Sequence, residues 1–313
     1  MRVASIDIGT NTFRLLIGEF RDSKLKKIHI ERAITRLGGG FESGKVITKD
    51  AMERAISTLK GFSSILKQYK VDRVRAVATS VVREALNGQE FVEKVKQETG
   101  MEVEVISGDE EAILTVIGVL NSVNVDSKFC VIFDVGGGST EYACVDAKRK
   151  EVLWAKSTAL GVVYLAERFL KTDIPLDTDI KALCEEVKSV LSRELSQAFK
   201  ERLESDLITL VGTAGTPTTL AAIELGLENY DPDMVNGFLL KKERVFSILN
   251  RLIKLPSSER LSIKGLERGR EDVIIPGTII VLKTMDWFSK DTVVVSDGGL
   301  LDGVAYSIVN LSN

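Results

Sequence analysis

Twice in this chain an apolar strand runs into an acidic residue, a glycine two positions later, a cluster of small polar residues and then a second strand. The first instance is Arg2 to Ile8, running through Asp7, Gly9, Thr10, Asn11 and Thr12 into Phe13 to Phe20. The second is Phe129 to Phe133, running through Asp134, Gly136, Gly137, Gly138, Ser139 and Thr140 into Glu141 to Val145. The same grammar recurring, with little else shared between the intervening stretches, predicts two structurally equivalent halves.

The remaining pattern fits that division. After each hairpin, strands alternate with helical periodicity: helices at 49–69, 89–98 and 109–120 in the first half, and at 162–170 and 179–203 in the second. Further helices are expected from Pro217, Lys241, Arg270 and Gly299, with a strand at Thr292 to Val295. This is an α/β chain of mixed sheets flanked by helices. The polar stretch Asn121 to Lys128 marks a boundary, giving an N-terminal domain over 1–124 and a C-terminal one over 125–313, with 299–313 a candidate to pack back on the first. At 313 residues and 44% hydrophobic content, the chain can fill two cores.

Charge is nearly balanced, 42 Lys plus Arg against 45 Asp plus Glu, so no global basic field points to duplex nucleic acid. The single histidine, His29, excludes a Ser-His-Asp triad, a Cys-His pair and a histidine metal cage, and it reads as structural in an alternating strand. Cys130, Cys144 and Cys184 form no close pair and read as buried small residues. No apolar run approaches the roughly 18 residues of a membrane span, and the N-terminus enters a strand pattern rather than a cleavable signal, so the expected location is the cytoplasm. Carboxylates and backbone amides are left to carry any chemistry.

Glycine turns bind phosphate through exposed backbone amides. In the turn after Asp134, three consecutive glycines admit close approach of an oxyanion, and Ser139 adds a hydroxyl; a plain hairpin turn is the alternative. Asp7 and Asp134 would repel phosphate but can hold a hydrated magnesium ion bridging its oxygens. Either aspartate alone reads equally as an Asx turn closing a strand. Arg14 shares a strand face with Thr12 near the first turn. Ser80 and Arg83, following the strand Val74 to Ala78, make a phosphate clamp or a capped turn. Ser107 with Glu110 fits a capping box, whereas Glu111 has no such duty and is either a general base directing water or a solvated first-turn glutamate.

Gly212, Thr213 and Gly215 repeat the strand, small-residue turn and helix arrangement, as does Ser296-Asp297-Gly298-Gly299. Gly39 to Val46 nearly matches a nucleotide phosphate loop, but Val46 stands where the hydroxyl is required, so this reads as an ordinary loop.

The motifs Asp7 to Arg14, Ala78 to Asn87, Ile106 to Ala112 and Phe133 to Glu141 together resemble the exopolyphosphatase and guanosine pentaphosphate phosphohydrolase (Ppx/GppA) family, within the actin, sugar kinase and chaperone superfamily. Leu160 to Leu165, Gly212 to Thr216 and Arg270 to Gly277 extend the likeness over the chain. The resemblance implies two ribonuclease H-like domains with a phosphate cleft between them, magnesium dependence, and a monovalent cation as candidate activator. It implies Glu111 as catalytic base, Asp134 and Gly136 in the catalytic phosphate and metal region, Arg83 on phosphate, and Asp7, Thr10, Asn11 and Thr12 in the first phosphate loop. The expected substrate is polyphosphate or guanosine pentaphosphate, with a homodimer left open.

Two departures stand out. Leu301 occupies a position where relatives carry arginine, and the helical extension of longer relatives is lacking, which implies a short-form member. The rival expectations are a small-molecule kinase and a nucleotide-switched scaffold of the same superfamily.

Overall fold

The computed structural model describes residues 1–21, 24–41, 44–195 and 208–310. Contacts divide the chain into two units, Met1–Gly118 with Gly299–Asn313, and Val119–Gly298. The first division falls inside the helix Gly108–Leu120, ahead of the polar stretch at 121–128.

The first unit carries strands β1 (Arg2–Ile8), β2 (Thr12–Arg21), β3 (Lys24–Ile34), β4 (Arg73–Ala78) and β5 (Val103–Val105) in the order β3-β2-β1-β4-β5. The polar turn after Ile8 folds β2 back antiparallel on β1, setting Asp7 opposite Arg14. β4 instead runs parallel to β1, bringing Ala78 beside Ile8, so the turns that follow β1 and β4 leave one edge of the sheet. The helix Lys49–Gln68 starts where the Thr48 side chain accepts from the Ala51 N–H, and it buries the stripe Ala51, Met52, Ala55, Ile56, Leu59 and Phe62.

The last helix, Leu300–Asn310, packs on β1, β2 and β4. Leu301, Ala305 and Ile308 form one cluster with Val3 and Leu16, while Leu300 and Val304 join Val77, Ile106 and Leu114 in another. Leu301 is therefore core, and the residue beside it, Asp302, pairs with Lys27 at 2.8 Å. A Cβ at Gly303 would overlap the Leu114 carbonyl, and one at Gly118 the Gly299 carbonyl, so these helices meet backbone to backbone.

The second unit carries β6 (Phe129–Val135), β7 (Thr140–Asp146), β8 (Glu151–Thr158), β9 (Ile208–Thr213), β10 (Leu239–Lys241) and β11 (Thr292–Val295), ordered β10-β11-β9-β6-β7-β8. β6, β7 and β8 are antiparallel neighbours, whereas β9 and β11 run parallel to β6. Without the short antiparallel β10, this order repeats that of the first unit, and both units are ribonuclease H-like. The helix Ile274–Trp287 is buried nearly all round and packs against the helices Val162–Phe169, Asp177–Glu194, Gly215–Leu225 and Lys242–Leu252.

Expected and observed elements differ at few points. The helix expected from Arg270 begins at Ile274, because hydrogen-bonded turns occupy Arg270 to Val273. Strand β10 and the short helices Ser80–Glu84, Pro232–Val235 and Ser257–Arg260 carry too few residues to show periodicity. The helix expected to reach Leu203 is described to Glu194, and its remainder lies outside the described residues, as do Glu42 and Ser43 of the near-match loop. In that loop Lys45 turns to Glu84 at 3.7 Å and lies over the Phe41 ring. His29 stacks on Tyr69 within the first unit. No helix among the described residues is long and apolar enough to cross a membrane.

Candidate active site

Each unit has one turn built to the same plan. In the first, the Gly9 N–H donates to the Thr12 carbonyl at 3.3 Å; in the second, the Gly136 N–H donates to the Ser139 carbonyl at 3.0 Å. A Cβ at Gly9 would lie 2.8 Å from the Thr12 oxygen and one at Gly136 2.9 Å from the Ser139 oxygen, so the glycine two places after the aspartate is sterically required in both.

Carbonyls of these turns are held, while the amides that follow the first glycine are not. Thr10 O accepts from the Gly38 N–H at 2.8 Å, and Asn11 O from those of Thr35 and Arg36 at 3.0 and 2.9 Å. In the second unit, Gly136 O and Gly137 O accept from Val162 and Val163 at 3.1 and 2.9 Å, at the start of the helix Val162–Phe169. Among the described residues, the N–H groups of Thr10, Asn11, Gly137, Gly138 and Ser139 have no hydrogen-bond acceptor. Buried or half-buried donors of this kind call for an anion.

The adjacent parallel strands join β1's turn to β4's: Thr10 Oγ1 and Ser80 Oγ share a hydrogen bond of 2.9 Å, and both residues are buried. Arg83, in the short helix after β4, donates through Nη1 to the Ile106 carbonyl at 2.8 Å and to Glu111 Oε2 at 3.2 Å. Glu111 itself is 7% exposed in the first turn of the helix Gly108–Leu120, an acidic side chain at a helix N-terminus with a guanidinium beside it. Its neighbour Glu110 receives the Ser107 cap on its N–H at 3.1 Å, but its carboxylate turns to Arg75 at 2.7 Å. Only half of the expected capping box forms, because the ion pair takes the carboxylate.

Asp7 is 3% exposed, and Arg14 reaches it through Nε at 3.1 Å and Nη2 at 3.0 Å. Burial pushes the Asp7 carboxyl up, and Arg14 opposes that shift. Arg14 is thus turned to the aspartate opposite it in the ladder. At the equivalent position of the second unit, Asp134 faces Glu141, a second buried carboxylate with Ser157 donating to it at 2.7 Å. Directly opposed residues of an antiparallel pair share a face, so unit one sets a cation against its aspartate and unit two an acid.

That donor set fits a magnesium ion held by one or two carboxylates and completed by water and phosphate oxygens. No group of three or more His, Cys, Asp or Glu side chains suited to a metal occurs among the described residues.

The turn after β9 is more constrained than its sequence suggests. Gly212 sits within the strand with its carbonyl on the Ser296 N–H at 2.9 Å, and a Cβ there would meet the Phe133 ring at 2.8 Å. Thr213 donates its hydroxyl to the Gly298 carbonyl at 2.9 Å. Gly215 opens the helix Gly215–Leu225, and the Arg270 guanidinium occupies the space a side chain would need there. Glu141 and Arg270 were part of the sequence motifs without being singled out; the ladder partner of Asp134 and the glycine demanded at 215 are the signals that mark them.

A model of the Ppx/GppA phosphatase family matches residues 16–312. A bifunctional 3-dehydroquinate synthase/phosphatase of Fusobacterium nucleatum is 33% identical over 318 residues; the match covers 96% of this chain and 46% of that protein, so the chain spans about half of that relative's length. Exopolyphosphatase 2 of Mycobacterium tuberculosis is 31% identical over 328 residues, covering 98% of each chain. The crystal structure of the Ppx/GppA family member of Aquifex aeolicus superposes with a TM-score of 0.82 at 36% identity, covering 100% of this chain and 99% of that one.

Proposed function

The chain belongs to the Ppx/GppA phosphatase family, and we propose that it is a cytoplasmic, magnesium-dependent hydrolase releasing the terminal phosphate of a polyphosphate chain, inorganic or carried by guanosine. The observation that carries this reading is Glu111, a nearly buried carboxylate at a helix N-terminus held by Arg83 at 3.2 Å. Asp7, the acid of the first turn, accepts from both Nε and Nη2 of Arg14.

In this reading the unpaired amides of Thr10 and Asn11 in the first unit, and those of Gly137, Gly138 and Ser139 in the second, are each suited to take phosphate oxygens. Thr12 follows the first turn at the head of β2, Ser80 opens the short helix after β4, and Gly215 opens the helix after β9. Glu111 accepts a proton from water as its oxygen attacks the terminal phosphorus in line. The phosphorus–oxygen anhydride bond breaks, its electron pair stays on the shortened chain, and inorganic phosphate leaves. Arg83 fixes the carboxylate's orientation and offers its remaining N–H groups to the substrate. Asp134 with Glu141 in the second unit, and Asp7 in the first, are the carboxylates that would each be able to hold magnesium, which would supply charge neutralisation on phosphate oxygens.

Glu111→Gln keeps the size of the side chain and removes the base. Turnover should fall by about 10²–10⁴-fold with substrate affinity retained; phosphate release at the parent rate would remove Glu111 from this role. Release of phosphate from polyphosphate without any acceptor separates hydrolysis from kinase chemistry. Repeating the assay with chelator, and with and without potassium, tests both cation expectations.

A further inference from the structure

A further opening lies at the other edge of the second unit's sheet. Strand β11 begins at Thr292, which pairs with Lys241 of β10, and it runs parallel to β9 and β6. Thr292 is therefore at the amino-terminal edge, away from the glycine turns that follow the carboxyl ends of β6 and β9. At this edge the helix Ile274–Trp287 packs against both Asp177–Glu194 and Lys242–Leu252. The three helices and the strand ends surround a pocket of about 790 Å³. Small-molecule sites have volumes of about 300–1,000 Å³.

The helices give this pocket apolar walls. Ile279 and Leu282 line it from the first helix and Leu249 from the third, all three buried, and half-buried Cys184 lines it from the second. Phe246 completes the lining and is 57% exposed, although the helix that carries it buries Val245, Ile248, Leu249 and Leu252. An aromatic ring left this open gains free energy when an apolar group covers it.

The charges around the pocket are unevenly buried. Lys283 and Asp286 continue the helical spacing of Ile279 and Leu282 and share their face. Lys242 Nζ meets Asp286 Oδ1 at 2.7 Å and Lys283 Nζ meets Asp286 Oδ2 at 3.4 Å, so two ammoniums share one carboxylate. Both lysines are half-buried, whereas the acids Glu243, Asp286 and Asp291 are exposed, as is Lys241. Water and salt screen exposed charges more than half-buried ones, so the field over the apolar walls is positive. A polyphosphate chain has no apolar surface to bury there; a molecule with an apolar body and one anionic head has both parts of the complement.

We propose that this pocket binds an amphipathic monoanion, an aliphatic or aryl body carrying one carboxylate, with the body on Phe246, Leu249, Ile279 and Leu282 and the head on Lys242 and Lys283. The site is independent of the hydrolase reading, since none of these residues belongs to the turns assigned to phosphate.

The test compares octanoate, 1-octanol and octylammonium, one body with three heads, by calorimetry at pH 7. Octanoate should bind about fivefold more tightly than octanol, and octylammonium more weakly than either. Phe246→Ala, a change at an exposed ring with little effect on folding, should weaken octanoate and octanol alike by about three- to tenfold. Lys242→Gln with Lys283→Gln should remove the advantage of octanoate and leave octanol within about twofold, which also shows that the pocket is still formed. Saturating octanoate should slow alkylation of Cys184, followed by peptide mass mapping, in the unsubstituted protein.

Failure of octanoate to bind, equal binding of the three heads, octanoate binding that leaves the Cys184 alkylation rate unchanged, or unaltered octanoate affinity in Phe246→Ala, overturns the proposal.

Discussion

Glycine at 136 is the residue on which the second phosphate turn depends. Gly136→Ala would bring a methyl group to 2.9 Å from the Ser139 oxygen, closer than carbon and oxygen pack, and the turn must open. Phosphate release should fall by at least about tenfold with a modest loss of stability, whereas Gly61→Ala, in open space on the helix Lys49–Gln68, should be neutral or slightly stabilising. Steady-state kinetics and thermal melts of the two variants check this. The thiols make a separate point. Burial pushes Cys130 up to about 12 and Cys144 to about 11, from an ordinary value of 9.0. A group whose folded pKa is raised contributes stability that is complete below its unfolded pKa and is lost as pH rises through the folded one. Stability should therefore decline from about pH 9 towards 12, with buried Tyr142, also raised, adding to the trend. Denaturant midpoints at pH 8 and pH 10.5 should show the decline, and Cys130→Ala with Cys144→Ala should flatten it. Side-chain partners at this scale were the least legible feature of the sequence. Arg14 was placed correctly beside its turn by strand alternation, yet its pairing with Asp7 depends on the hairpin register, which alternation alone does not set.

The last helix shows what packing adds to a pattern. Its apolar spacing was readable, but the face it covers was not, because that face is made by β1, β2 and β4 from the far end of the chain. Leu301→Arg, which supplies the residue that the family resemblance leads one to expect, would drive a charge into the cluster of Val3, Leu16, Ala305 and Ile308. It should destabilise the protein by about 3 kcal/mol rather than tighten phosphate binding. Gly303→Ala, whose methyl would overlap the Leu114 carbonyl, should lower the melting temperature by on the order of 5–10 °C. Thermal melts and phosphate titrations of both variants distinguish these outcomes from a role in ligand grip. Helix 274–287 was harder to bound: apolar residues on every face leave no amphipathic phase from which to read its start, and the turns after Arg270 decide it.

At the scale of the whole molecule, the chain completes its first unit only after finishing its second, so the first 118 residues lack part of their own core. A chain ending at residue 298 should keep protected amides in β6, β7 and β9 while β1 and β2 lose protection, which hydrogen exchange would show. The duplicated hairpin, the α/β class and the positions of the glycine turns were determined by the sequence itself, since strand period, turn chemistry and the steric exclusivity of glycine act over a few residues. Tertiary structure alone decided that Glu110 serves Arg75 while Glu111 meets Arg83, that Asp134 faces an acid where Asp7 faces a base, and that Leu301 is core. Each of these depends on which distant strand or helix lies alongside, and that choice minimises the free energy of the whole packed unit rather than of any segment within it.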